Sequence, residues 1–324
     1  MTTKFARDLA FGLIALLLVG IASASALDYP TRPVRWIIGY PAGGAGDIVA
    51  RIMGQWLSER LGQSVIIENK SGAGTNIATQ AVIGAPGDGY TLLWVSPANA
   101  INATLYEALP FNFLRDTAPV AGLVRFALVL EVNPKVPATT VADFIAYARA
   151  NPGKLSMASF GVGTPSHLAG ELFKTMTGTN IVHVPYRGSA PAITDMMAGQ
   201  THAMFDNLTS SLPQIQSGAL RVLAVTTQAP SAMLPGIPTL SETLPGFEAS
   251  GWSGIVAPRG TPAEIIERLH REVDAGLANP GVRARLAEVG STPMPMTPAQ
   301  FGPFMAAETE KWGKVVKSSG AKAE

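Results

Sequence analysis

The chain has 324 residues, 24 Lys and Arg against 23 Asp and Glu, 47% hydrophobic residues and no cysteine. Without cysteine there are no disulfides, thiolate nucleophiles, thiolate metal sites or lipid-modified N-terminal Cys. A formal net charge of +1 leaves no electrostatic footprint for nucleic acid or an anionic membrane surface, so any anion selectivity must be local.

Lys4 and Arg7 precede an apolar run from Leu9 to Ile21, and Ala24-Ser25-Ala26 follows. That order predicts a secretory signal peptide over 1–26, cleaved after Ala26. The competing reading is a membrane anchor, but an apolar helix from Leu9 to Ile21 reaches only about 20 Å, short of the ~30 Å hydrocarbon core. Cleavage removes Lys4 and Arg7 from 24 bases and Asp8 from 23 acids, leaving 22 of each and a formally neutral mature protein. The remaining length is ample for an apolar core and suggests two lobes.

Strand-length apolar runs then alternate with helix-period segments. Strands are expected at Val34–Tyr40, Val65–Glu68 and Thr91–Val95, with helices at Asp47–Leu61 and Thr75–Ile83 between them. This βαβ rhythm implies a parallel sheet. After the apolar stretch Val120–Val132 it restarts with helix Val141–Ala150, strand Ser156–Ala158, helix Pro165–Thr177, strand Ile181–Val184 and helix Ala190–Ala198. Strand His202–Phe205, helix Leu208–Ser217 and strand Arg221–Val225 follow. The proline- and glycine-rich segment Pro230–Gly254 has turn chemistry and carries the chain back to the first unit. Thr261-Pro262-Ala263-Glu264 and Thr297-Pro298-Ala299-Gln300 fit capping boxes with proline at the first helical position. Behind the first, Ile266, Leu269, Val273 and Leu277 share a helical face.

Each α/β unit has one glycine-rich stretch between a strand and a helix: Tyr40-Pro41-Ala42-Gly43-Gly44-Ala45-Gly46-Asp47 and Ser159-Phe160-Gly161-Val162-Gly163-Thr164. Glycine admits a ligand close to the backbone, and the following helix start offers unpaired N–H groups and a partial positive charge. Both stretches are therefore candidate anion sockets. Enzyme chemistry finds no comparable support. Gly44-Ala45-Gly46 with Glu68 resembles part of a dinucleotide fingerprint, but Val49 stands where the third glycine belongs. No Gly-x-Ser-x-Gly elbow occurs, and His167, His183, His202 and His270 sit singly with no His-Glu-x-x-His pattern. No catalytic residues, metal or cofactor are expected.

A more specific resemblance lies in the series Tyr40-Pro41-Ala42-Gly43-Gly44, Glu68-Asn69-Lys70-Ser71-Gly72-Ala73-Gly74, Asp88-Gly89-Tyr90 and Gly163-Thr164-Pro165-Ser166-His167-Leu168-Ala169-Gly170-Glu171. It continues through His183-Val184-Pro185-Tyr186-Arg187-Gly188-Ser189-Ala190-Pro191-Ala192 and Met204-Phe205-Asp206-Asn207. Over about residues 28–318 the chain resembles the Bug-type receptors of tripartite tricarboxylate transporters. The resemblance implies an α/β, two-lobed periplasmic binding protein of the type II arrangement, with 27–127 plus 251–324 as one lobe and 128–250 as the other. It implies a small carboxylate, most readily a dicarboxylate, bound between the lobes and delivered to a membrane permease. The alternative is a sensor presenting its closed form to a signalling partner. A monomer that binds no nucleic acid is expected, with a hinge near Phe126–Glu131 and Ala249–Ser253.

Opposed sockets could hold a dianion without arginine, since a carboxylate at a helix start gains roughly 0.3–1 kcal/mol from the dipole and about 1.5–3 from each charge-assisted hydrogen bond. Backbone donors are expected from Gly43, Gly44 and Ala45, with Asp47 as an N-cap more than a direct contact. Ser159, Phe160, Gly163 and Thr164 form the second socket, the Thr164 hydroxyl donating to a carboxylate oxygen. Ser96, Asn99 and Asp206 lie at strand ends where ligands of open α/β sheets collect. The run Ser96-Pro97-Ala98-Asn99-Ala100 departs from the small polar run common in the family and suggests a wall with fewer hydroxyls. Tyr40, Phe160 and Tyr186 could stack on an aromatic acid or pack as core, and Arg187 could pair with a second carboxylate or a surface acid.

Overall fold

The computed structural model describes residues 28–323, and the expected leader lies outside the described residues. The chain opens with β1 (Val34–Ile38), α1 (Ala45–Leu61), β2 (Val65–Asn69), α2 (Asn76–Ile83), β3 (Thr91–Val95) and α3 (Pro97–Leu105), followed by the short α4 (Phe113–Asp116) and β4 (Thr117–Phe126). It continues through β5 (Leu128–Val132), α5 (Val141–Ala150), β6 (Ser156–Ser159), α6 (Pro165–Thr177), β7 (Val182–Pro185), α7 (Ser189–Ala198), β8 (Ala203–Asn207), α8 (Leu208–Gln216), β9 (Arg221–Val225) and α9 (Leu240–Thr243). The last segment contains β10 (Gly251–Pro258), α10 (Ala263–Ala278), α11 (Pro280–Glu288), β11 (Ser291–Met296) and α12 (Pro298–Ser319).

These elements build two sheets, one per lobe. Six strands take the order β11-β4-β10-β3-β1-β2 and five take β7-β6-β8-β5-β9. The βαβ segments give the parallel pairs: β1 with β2 and β3, and β6 with β7 and β8. The remaining neighbours are antiparallel, β10 lying between β3 and β4, and β5 between β8 and β9. The chain passes between sheets at Ala127 and again at 249–250. The apolar stretch Val120–Val132 therefore divides into the end of one strand and the whole of another, each buried in a different lobe.

Burial follows the periodicities. Ile266, Leu269, Val273 and Leu277 all turn inward on α10 and pack in a core with Trp36, Met53 and Leu57. The capping box at Thr297 forms, with Gln300 N donating to Thr297 Oγ1 at 3.3 Å and Thr297 N to Gln300 Oε1 at 3.0 Å. At Thr261 it does not: the hydroxyl donates to the Pro258 carbonyl at 2.8 Å, and Pro262, which has no side-chain oxygen, takes the N-cap position. Helix α12 packs on α3 and β4 and also touches α6, so a single helix bridges the lobes.

Gly254 marks a tight approach in the first sheet. A Cβ there would stand 2.1 Å from Phe301 Cζ and 2.6 Å from the Ala121 carbonyl oxygen, and the Ala121 backbone cannot retreat. Gly254→Ala is expected to lower unfolding stability by about 1–3 kcal/mol in urea titration. An unchanged midpoint would contradict this packing.

Candidate ligand site between the lobes

Strands β1, β3, β6, β7 and β8 all end at the cleft, each followed by a helix, which after β8 begins with no intervening loop. Their loops enclose an inner cavity. From the first lobe it is lined by Tyr40, Pro41, Ala42, Gly44, Ala45, Gly46, Trp94, Ser96, Pro97 and Phe126, and from the second by Phe160, Pro165, Gly188, Ser189, Ala190 and Asn207. None of these side chains is ionisable except the phenol of Tyr40, whose pKa burial pushes up to about 12. The cavity measures about 30 Å³, room for a water or two.

Its electrostatics come from the backbone. Helix α1 begins at N-cap Gly44, α7 at Gly188 and α8 at Asn207, and in none of the three does the N-cap side chain bond the first turn. The other two helices at the cavity start differently. α3 is capped by Ser96 and Asn99, α6 by Thr164, and both place proline at the first position, where no N–H exists to present. Orphan donors thus remain where α1, α7 and α8 meet, the positive end of each helix dipole facing a wall without a cation. One donor is shared across the cleft: Ala45 N–H donates to Ser210 Oγ of α8 at 3.2 Å. The indole of Trp94 lies beside Gly46, its Nε1 3.2 Å from the position a Cβ would take.

Of the residues singled out from sequence, the structure brings Tyr40, Gly44, Ala45, Ser96 and Phe160 together on this cavity. Gly43 lies outside it, its N–H donating to Asp47 Oδ2 at 3.0 Å. Asp47 is not the N-cap; it sits at the third position of α1, buried, with both carboxylate oxygens bonded by Arg51 at 2.9 Å. That bidentate pair holds its pKa below the usual carboxylate value despite burial. Asn99 turns its oxygen to Ser96 N at 3.0 Å and its amide to Thr79 Oγ1 at 2.8 Å. Ser159 bonds His183 Nε2 at 2.7 Å, and the Thr164 hydroxyl donates to the Gly161 carbonyl at 2.6 Å. Gly163 (φ +74) meets the other lobe, since a Cβ there would stand 2.1 Å from Asn102 Oδ1. The second glycine stretch therefore serves as a surface on which the lobes meet, together with Gly188 against Pro41 and the Tyr40–Phe160 edge contact at 6.0 Å.

Sequence reasoning passed over Trp94, Phe126, Pro165, Gly188, Ser189, Ala190 and Asn207. Gly188-Ser189 obeys the same rule that selected the two earlier stretches, a glycine between a strand and a helix. Tyr186 and Arg187 instead line an outer cleft of about 510 Å³ with Thr164, Gly161 and the Ser71–Thr75 loop. The Tyr186 hydroxyl donates to Asp195 at 2.8 Å.

Two of the histidines are not single in space. His167 and His183 stack at 4.2 Å, and with Glu171 they place three ligand-type atoms within 4.8 Å. Their lone pairs and charge are already engaged: Gly163 N–H donates to His167 Nδ1, Ser159 holds His183 Nε2, and Lys174 Nζ pairs with Glu171 at 2.6 Å. Burial lowers both imidazole pKa values to about 4. The cluster is a neutral brace behind the second glycine stretch.

Asp206 is fully buried beneath the cavity wall. It accepts from Ser189 Oγ at 2.7 Å and meets Ser211 Oγ at 2.9 Å, while Ser211 also lies 3.0 Å from Glu131 Oε1. A hydroxyl has one hydrogen, so Ser211 donates to one carboxylate and the other contact needs a carboxyl proton. Burial and the charge of Asp206 raise the pKa of Glu131 well above its ordinary 4.5, which makes Glu131 the proton's holder. The folded protein thus keeps a proton that the unfolded chain sheds, and stability falls as pH rises from the unfolded value through the folded one. Glu131→Gln, unable to ionise, is expected to gain stability relative to the native chain as pH rises above the ordinary glutamate value of 4.5 in denaturant titrations. Identical pH dependence would contradict this assignment.

Comparison with known proteins identifies the family. Residues 49–321 match the family described as "Tripartite tricarboxylate transporter family receptor". Protein BugT of Bordetella pertussis is 38% identical over 307 residues, covering 94% of each chain. Among solved structures, R. palustris Rpa4515 with adipate superposes with TM-score 0.89 at 39% identity, covering 91% of this chain and 99% of that one. The periplasmic binding protein BugD gives 0.87 at 31% identity over 91% and 100%. MatC of Rhodopseudomonas palustris with bound malate gives 0.85 at 29% over 89% and 100%. The chain is a solute-binding receptor and belongs to the tripartite tricarboxylate transporter receptor family.

Proposed function

We propose that the protein is a periplasmic receptor that closes its lobes on a small dicarboxylate and delivers it to the permease of a tripartite tricarboxylate transporter. One observation carries the reading: three helix starts without side-chain caps converge on a cavity shared by both lobes and free of ionised side chains. That is an anion site built from amides. The adipate and malate bound by the two R. palustris proteins support a dicarboxylate, and the family description supports the permease. The leader over 1–26 supplies export. Among the described residues no helix is long and apolar enough to cross a membrane, which suits a carrier that leaves translocation to a partner.

Closure accounts for the small cavity. An acid of adipate's size cannot enter about 30 Å³, so entry requires the lobes 27–127 plus 251–324 and 128–250 to part. The two crossings, at Ala127 and at 249–250, are the few residues able to absorb such a motion. Helix α12, touching both lobes, would slide at its contact with α6.

Ligand at 100 times its Kd should stabilise the protein by about 2.7 kcal/mol. In a thermal-shift panel of mono-, di- and tricarboxylates, at least one dicarboxylate is expected to raise the melting temperature. Ala45→Asp and Ala190→Asp, each placing a negative charge at a helix start, should abolish that shift with cooperative unfolding retained. His270→Ala, on α10 away from the cavity, should leave it intact. A panel without any shift, or full binding by both aspartate variants, would overturn the reading.

A further inference from the structure

A negative charge with no cation beside it lies under the second-lobe wall. Glu131 Oε1 stands 3.0 Å from Ser211 Oγ, while its Oε2 is buried with no hydrogen-bond partner among the described residues. Ionised, that bare oxygen would be costly; protonated, Glu131 donates to Ser211 and remains neutral. Ser211 then gives its own hydrogen to Asp206 Oδ2 at 2.9 Å, Ser189 gives its hydrogen to Oδ1 at 2.7 Å, and the charge rests on Asp206. The elements packed against β5 and β8 bring no ion to it. β6 and α8 carry no titratable side chain, Arg221 of β9 bonds the carbonyls of Val136 and Ala138, Asp195 of α7 accepts from the Tyr186 hydroxyl, and His167, Glu171 and Lys174 of α6 engage one another. What steadies Asp206 is the start of two helices: Ser189 is the first residue of α7, and Asn207, next in the chain, is the N-cap of α8. Those are the same starts that face the cavity.

Resting on the carboxylate reading, we propose that the receptor takes up a proton together with its ligand, and that Asp206 is where the proton goes. A carboxylate arriving at α7 and α8 places a second anion on helix starts that already hold one, with the Ser189 side chain between them and surroundings too apolar to screen the pair. Protonation removes the conflict. The proton comes from bulk water and adds to Asp206 Oδ1; the new O–H donates to Ser189 Oγ, and the released Ser189 hydrogen turns to the bound carboxylate. No bond within the ligand changes. A repelling charge becomes a relay that ends in a donor. The complex then holds more protons than the free protein, so binding weakens as pH rises through the free Asp206 value, which burial lifts to about 6.

Titration calorimetry on the full mature protein with succinate, malate, glutarate and adipate tests this, each acid being run in imidazole, HEPES and Tris. The slope of observed enthalpy against buffer ionisation enthalpy counts the protons exchanged on binding. For an acid that binds, an uptake of about 0.3 proton or more is expected at about pH 7, with Kd rising about threefold or more from about pH 6.5 to about pH 8.5. Asp206→Asn, which cannot titrate, should bring the slope to near zero and flatten the Kd profile. The proton count in the native protein decides the matter even if that variant does not fold. Binding with no proton uptake, or uptake that persists in a folded Asp206→Asn protein, would overturn this inference and leave the carboxylate reading standing. No binding by any of the four acids would overturn both.

Discussion

Backbone amides at helix starts demand partners, and in this protein several of those starts are pointed at one another. Unbonded N–H groups are tolerable only where water or a ligand can reach them, so α1, α7 and α8 must open onto the cleft, not into a core. The βαβ order places them there, because each strand delivers its chain to the same edge of its sheet. The rest of the architecture holds two such edges face to face. Glycines at Gly44 and Gly188 keep the approach open, and Pro41, Gly163 and Asn102 set how near the lobes come.

Charge is handled consistently with that constraint. The acids closest to the site are withdrawn: Asp47 is neutralised by Arg51, and Asp206 shares one proton with Glu131 beneath Ser211. The nearest arginine past β7, Arg187, lies in the outer cleft. The lining of the inner cavity therefore offers an incoming anion helix dipoles and no ionised side chain, and those dipoles can serve a carboxylate from either lobe. A buried guanidinium would have fixed one geometry at a large desolvation cost.

Most of the scaffold was legible because its periodicities are strong. Strand Thr91–Val95 and helices Val141–Ala150 and Pro165–Thr177 fall where the pattern puts them. That the first glycine stretch lines the cleft was legible for the same reason, since a strand, glycines and an amphipathic helix are all local signals. Other features depend on partners distant in sequence. Thr164 looks like a free hydroxyl until Gly161 is seen to take it, and Gly163 looks like a ligand loop until Asn102 arrives from the other lobe. Asp206 reads as a strand-end contact, whereas Ser189 and Ser211 draw it under the wall. The His167–His183 stack joins residues that sequence spacing keeps apart.

The central claim is that helix-start amides from both lobes hold one negatively charged guest. A crystal structure of the mature protein grown with a dicarboxylate that stabilises it tests this most directly. The account predicts carboxylate oxygens about 2.7–3.2 Å from first-turn amide nitrogens of α1 and of α7 or α8. A well-ordered acid held instead by Arg187 in the outer cleft, with those amides bonded only to protein, would contradict it.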